Sequence, residues 1–304
     1  MAGLAFLARH PLLRRLLLPA AGLIAFAIFL MLTFPYDTLA QRIEVEAQRG
    51  GAQVTIGSLG PAFGGVRARD VKVRLASAPG AEASPELHLD RLEVTPDLFA
   101  LLLRRTSFGF SLTGYGGTAK GHLALSRDPR TPGLSSLRVD ARDIDLSTLP
   151  LKELGGVEAS GKLQLKADLS SLIPAETAGG AVTLVLDGGA ITSGAVQGFP
   201  LPKTTLGRVD GAVAVEKGIA RLEKTSVRGG DIDADVEGTV SLRPLLSLSQ
   251  ADLHVRFRPS DRWLEANAMI KGAMGLIQNA RQGDGSYAFT FTGPLSHLTP
   301  RPGK

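Results

Sequence analysis

The 304-residue chain has no cysteine, one tryptophan, three tyrosines and twelve phenylalanines. Without thiols there is no disulfide framework, no thiolate metal site, no iron–sulfur cluster and no cysteine nucleophile. So few aromatics, not interleaved with basic residues, leave no stacking platform for single-stranded nucleic acid. The net charge is +5, and Arg9, Arg14 and Arg15 supply three of those charges ahead of the first long apolar run. What remains is too small a surplus for a phosphate-tracking surface, so nucleic acid is not an expected partner. Glycine, by contrast, is abundant at 36 residues in a chain that is 44% hydrophobic. That content of Val, Ile and Leu excludes wholesale disorder. Small aliphatics interrupted by glycine imply many short strands and turns.

The longest charge-free stretch runs from Leu16 to Phe34. At about 1.5 Å per helical residue it covers close to 30 Å, the thickness of a bilayer core. Arg9, His10, Arg14 and Arg15 precede it, and Asp37 is the first charge after it. The positive-inside rule therefore places residues 1–15 in the cytoplasm, residues 16–35 in the membrane and residues 36–304 on the far side. A cleavable signal peptide, cut near Thr38-Leu39-Ala40, and a buried core helix are the alternatives. The apolar run exceeds the usual signal-peptide core of about 7–15 residues, which favours an uncleaved anchor.

Beyond the anchor, Asp37 to Gln48 reads as a short amphipathic helix ended by Gly50 and Gly51. The period then changes to two. Val71, Val73 and Leu75 alternate with Asp70, Lys72 and Arg74, and similar alternation recurs over 119–126, 162–168, 182–186, 209–215, 231–242, 252–258 and 287–291. Turns are expected at Asp128 to Gly133 and at Glu216-Lys217-Gly218, and loops at 76–85 and 172–180. Short helices are expected with Pro96 as the opening residue and over Ser147 to Leu154, and a longer one over 261–282 after a capping Ser260. There is no room for the crossover helices of a parallel sheet. The fold class is mostly β: a single transmembrane helix, then a curved antiparallel sheet with a few short helices.

A sheet with one greasy face must close into a barrel, fold into a sandwich, or curl into a trough whose lining a ligand or partner covers. Residues 231–242 and 250–258 are expected as neighbours with Val236 opposite Val255, which also sets Asp235 opposite Arg256. The row Asp231, Asp233, Asp235 and Glu237 reads either as a solvated face or as a calcium site. Calcium ligands converge from a loop more often than they stand along a strand. The five histidines, His10, His88, His122, His254 and His297, show no metal-ligand spacing. Gly156 to Lys162 matches the first part of a phosphate-binding loop, but Leu163 stands where Ser or Thr should hold magnesium, and a strand follows instead of a helix. Neither an enzyme nor a nucleotide site is expected, and no cofactor or metal.

Three segments carry a family resemblance. FPYDTLAQRIEVEAQRGGAQVTIGSLGPAFGGVRARDVKVRL, directly after the apolar run, resembles the start of AsmA-like envelope proteins and, more closely, of type II secretion system protein N. LDRLEVTPDLFALLLRRTSFGF looks like the strand and short helix that follow, and MIKGAMGLIQNARQGDGSYAFTFTGPL is similar to the end of the same protein N group. The resemblance runs from about Leu16 to about Pro294. It implies an inner-membrane, single-pass protein with a periplasmic β-rich domain, acting as an accessory part of type II protein secretion with other secretion subunits as partners. The AsmA-like side implies a groove that binds or passes membrane lipid, and a purely structural periplasmic scaffold is a third reading. The residues expected to line a lipid or partner surface are Val209, Val213, Val215, Ile232, Val236, Val240, Leu253, Val255 and Phe257. The bland alternative for them is the ordinary core of a closed sandwich.

Overall fold

The computed structural model describes residues 22, 25, 26, 29, 33–49, 52–75, 85–126, 128, 133–196 and 199–303. The expected cytoplasmic segment, most of the expected membrane span, and most of the loops at 76–85 and 128–133 lie outside them. Among the described residues no helix is long and apolar enough to cross a membrane.

Helix α1 (Tyr36–Arg49) leads into β1 (Ala52–Ala62), β2 (Gly65–Leu75) and β3 (Glu86–Pro96). A five-residue helix, α2 (Leu98–Leu102), then separates β3 from β4 (Ser107–Gly114), followed by β5 (Gly117–Leu125) and β6 (Leu134–Asp145). After α3 (Leu151–Gly155) come β7 (Val157–Ser170), β8 (Gly179–Val196), the two-residue β9 (Phe199–Pro200), β10 (Thr204–Glu216), β11 (Ile219–Arg228), β12 (Ile232–Ser241) and β13 (Gln250–Pro259). Helices α4 (Asp261–Ala266) and α5 (Ala268–Leu276) precede β14 (Tyr287–Pro294) and β15 (Thr299–Pro302).

Every strand on the path from β1 to β15 pairs antiparallel with the next, and β9 adds only a short pairing to β8. The result is a single meandering sheet, as expected of a chain without crossover helices. Two of its hairpins turn through left-handed pairs, Tyr115-Gly116 and Lys217-Gly218, the backbone shape that matches the twist of the flanking strands. The sheet does not close into a barrel, since β1 and β15 each have one neighbour.

Both edges are protected. On β1, the Ile56 amide points away from β2 and donates to Glu44 Oε1 of α1 at 2.8 Å, so the helix covers that edge. On β15, Pro300 and Pro302 have no amide hydrogen to offer. Such devices suit a sheet that must stay open without recruiting another strand.

Two expectations about helices are corrected. Pro96 ends β3 and does not open α2; the cap is Asp97, whose carboxylate accepts from the Ala100 amide at 3.0 Å. The long helix expected after Ser260 is instead two pieces. Asn267 leaves helical geometry at φ −125°, ψ 70°, and its side-chain amide donates to the Trp263 carbonyl at 2.8 Å. The Ser260 cap itself stands, accepting from the Trp263 amide at 3.4 Å.

All strands share two ends. At the near end α1 enters β1, and the connections carrying α3, α4 and α5 lie there. At the far end lie the β1–β2 turn, α2 and residues 170–179, 216–219, 241–250 and 294–299. A small core fills part of the far end. Ala178, Val215, Ala220, Val240 and Ala251 are buried there, with Leu172, Leu242, Leu295 and Leu298 from the connections packed against them. At the near end Trp263 is buried, and its Nε1–H donates to the Lys203 carbonyl at 3.3 Å.

Candidate functional site

Residues paired across antiparallel strands project to the same face. Following the pairing from β1 to β15 gives one residue per strand: Pro61, Val66, Val94, Phe110, Gly121, Val139, Ala167, Val182, Val213, Leu222, Gly238, Leu253, Phe291 and Pro300. Not one carries a polar side chain. A parallel row on the opposite face reads Arg67, Glu93, Ser111, Lys120, Asp140, Lys166 and Thr183. The sheet is therefore two-sided, with an apolar band crossing its whole width.

This band is not the filled core of a sandwich. Among the described residues nine of the fifteen buried apolar residues are alanines, whereas Val66, Val94, Phe110, Val139, Val182, Val213, Leu222 and Leu253 are only half-buried. A packed interior would bury such side chains completely. Two glycines let neighbouring strands pack closely in the band. A Cβ on Gly121 would meet the Arg138 carbonyl oxygen at 2.0 Å and the Phe110 ring at 2.7 Å, and Gly238, at φ +140°, has the Asp252 carbonyl oxygen 2.1 Å from where its Cβ would stand.

The nine residues singled out in the sequence come together on one face of β10 to β13. Val236 faces Val255 as expected. Val209, Val227, Ala234 and Phe257 form one cross-strand row, and Val213, Leu222, Gly238 and Leu253 the next. Val215 and Val240 belong to the small far-end core and are buried, with Val213 and Leu253 packed against it. Val209, Ile232, Val236, Val255 and Phe257 remain half-buried outside it.

Sequence reasoning missed the extension of this face to both sides. On β14, Tyr287, Phe289 and Phe291 lie opposite Phe257, Val255 and Leu253. Phe257 stacks on Tyr287 and Phe289 with ring centroids 5.7 and 6.2 Å apart. The signal was present in the alternation of 287–291, but its partner strand was not.

On the polar face, charge pairs join adjacent strands: Arg67 with Glu93 at 2.7 Å, Arg138 with Asp168 at 2.6 Å, and Arg208 with Asp187 at 3.1 Å. These pairs, half-buried at Arg67–Glu93 and largely exposed at the other two, fix register more than stability. The strand register that sets Asp235 opposite Arg256 is present, yet the two do not pair. Asp235 binds Arg228, and Arg256 turns to Asp284 at 2.7 Å. Asp231 and Asp233 of the acidic row are also engaged by their own chain. Asp231 accepts from the Thr205 amide and hydroxyl at 2.7 Å each, and Asp233 from the Gly229 amide at 3.3 Å. Among the described residues no three His, Asp or Glu side chains gather as a metal site. Lys162 lies within β7 and pairs with Asp145 at 3.3 Å.

Asp284 holds the 281–286 segment onto the polar face. It accepts from the Ser286 hydroxyl and amide and pairs with Arg256 and Arg258. The Ser286 bonds, with help from the two guanidinium groups, lower its pKa to about 2. Because the folded value lies below the unfolded one, the resulting stabilisation is complete above about pH 4 and is lost as pH falls toward 2. Asp284→Asn should therefore flatten the stability curve within that window, measured by urea unfolding of variant and parent at stepped pH. A parallel fall in both chains would contradict the assignment.

No family model, curated protein or solved structure matches this chain.

Proposed function

We propose that this chain is a membrane-anchored lipid-binding protein of the bacterial envelope, holding acyl chains along the apolar face of its sheet. The observation that carries this reading is the fourteen-residue row without a polar side chain, on an open sheet whose face is half-exposed. An apolar surface of that extent is costly in water. Acyl chains suit it because they need no hydrogen-bonding partner and can follow a band across many strands. The charge-free run at 16–34 and its basic flank support an inner-membrane anchor, with the N-terminus cytoplasmic and the sheet periplasmic. The residues required are the lining side chains; no cofactor or catalytic group takes part.

A second reading is supported by the three segments resembling type II secretion protein N. In it the chain is an accessory inner-membrane component of that secretion machinery, and the apolar face receives partner subunits. Native mass spectrometry of the full chain, extracted in mild detergent, separates the two. Lipid binding requires phospholipid-mass adducts that survive detergent exchange. The secretion reading requires co-purified secretion subunits, and exported enzymes held in the periplasm when the gene is deleted. A chain recovered bare, with normal secretion on deletion, would refute both and leave a structural scaffold.

A further inference from the structure

The far end of the sheet carries a second apolar feature, separate from the band. Phe63, in the β1–β2 turn, is 100% exposed, and in α2 Leu98, Phe99 and Leu102 are 70, 83 and 84% exposed. The two elements are neighbours along the rim, since β2 starts beside the end of β3 with Val66 opposite Val94. Arg104 and Arg105 follow directly, both exposed. Among the described residues neither pairs with an acid, and the nearby Asp97 is occupied in capping α2.

From this we infer that the far-end rim is a docking surface for an anionic lipid membrane, into which Phe63 and α2 insert while Arg104 and Arg105 meet the headgroups. Two features favour a bilayer over a protein groove. Every position of α2 is apolar and four of the five, Leu98, Phe99, Leu101 and Leu102, are exposed, so the helix presents hydrocarbon over most of its circumference, which fits an isotropic apolar medium and not the one-sided groove that receives an amphipathic helix. The unpaired guanidinium groups lie at the base of the protrusion, where an anionic surface would neutralise them. The inference does not depend on what the apolar band binds.

The absence of cysteine makes the test clean. Leu102→Cys in the full chain, held in zwitterionic nanodiscs, is labelled with an environment-sensitive nitrobenzoxadiazole dye and titrated with vesicles of phosphatidylcholine alone or with added phosphatidylglycerol. The dye should brighten severalfold and shift to the blue with the anionic vesicles, and the same label at Gln164→Cys, on the polar face, should not respond. Arg104→Ser with Arg105→Ser should weaken the response by roughly thirtyfold in vesicle concentration, and Leu98→Ser with Phe99→Ser should abolish it. These positions are exposed, so loss of folding is not an available explanation. No response to anionic vesicles, or an equal response in the double Arg variant, overturns the inference. So does a blue shift that needs no vesicles and grows with protein concentration, which would assign the rim to self-association.

Discussion

Replacing Val236 by Asp should leave the chain folded and strip it of bound lipid. Val236 is half-buried outside the far-end core, so a carboxylate there keeps much of its water when the face is empty and costs folding little. An acyl chain lying across the face would remove that water, and an ionised carboxylate left in hydrocarbon costs several kcal/mol. The expected loss of lipid affinity is at least about a hundredfold. Val213→Asp should have the same effect on lipid, with a larger loss of stability because Val213 packs against the far-end core. Gln164→Asp, exposed on the other face of β7, should change nothing. Adduct intensity in native mass spectra, beside circular-dichroism melting of each variant, checks the series. Undiminished adducts in Val236→Asp would mean that lipid binds elsewhere.

Gly238→Val should cost about 2–5 kcal/mol of stability and lower the melting temperature by roughly 5–15 °C. The position combines a left-handed φ of +140° with a carbonyl oxygen 2.1 Å from the Cβ position. Backbone must move, because the Asp252 carbonyl is part of the β12–β13 ladder. A contrasting substitution guards against a general effect of losing glycine. Gly272 lies in α5 with nothing within 4 Å of its Cβ position, so Gly272→Ala should raise stability by about 0.5–1 kcal/mol through helix propensity. Equal behaviour of the two variants would remove close strand approach as the reason for glycine in the band.

Where the alternation of two is unbroken, the fold is legible from residues alone. The β12–β13 pair is the clearest case: its neighbours, its register and the sharing of one face by Ile232, Val236, Val255 and Phe257 all follow from the pattern. β6 and β11 resist the same reasoning for a physical cause. In β6 the pairing slips between Ala141 and Ile144, where Asp143 takes a left-handed φ of 58°, and in β11 it slips between Leu222 and Thr225. Each bulge inserts a residue, so apolar side chains that share a face no longer sit two apart in sequence.

The candidate face was legible in part. The nine residues from Val209 to Phe257 identify three strands, β10, β12 and β13, but the continuity from Pro61 to Pro300 depends on a strand order that no local pattern specifies. Side-chain partnerships were less legible than register. Arg256 has a choice between Asp235 on the neighbouring strand and Asp284 on a loop distant in sequence, and the loop carboxylate, already oriented by Ser286, receives it. The glycine surplus divides similarly. Turn glycines such as Gly218 announce themselves by their neighbours, whereas Gly121 is explained only by the Arg138 carbonyl and the Phe110 ring that the fold brings against it.

The central claim is that acyl chains lie on the apolar face, and photocrosslinking tests it most directly. The full chain is reconstituted with a phospholipid bearing a diazirine in its acyl chain, irradiated, digested and mapped by mass spectrometry. Adducts on the band, at positions such as Val66, Val139, Val236 and Phe289, and their absence from Lys120, Lys166 and the rest of the polar face, are the expected result. Adducts confined to residues 16–35, or spread equally over both faces, would contradict it.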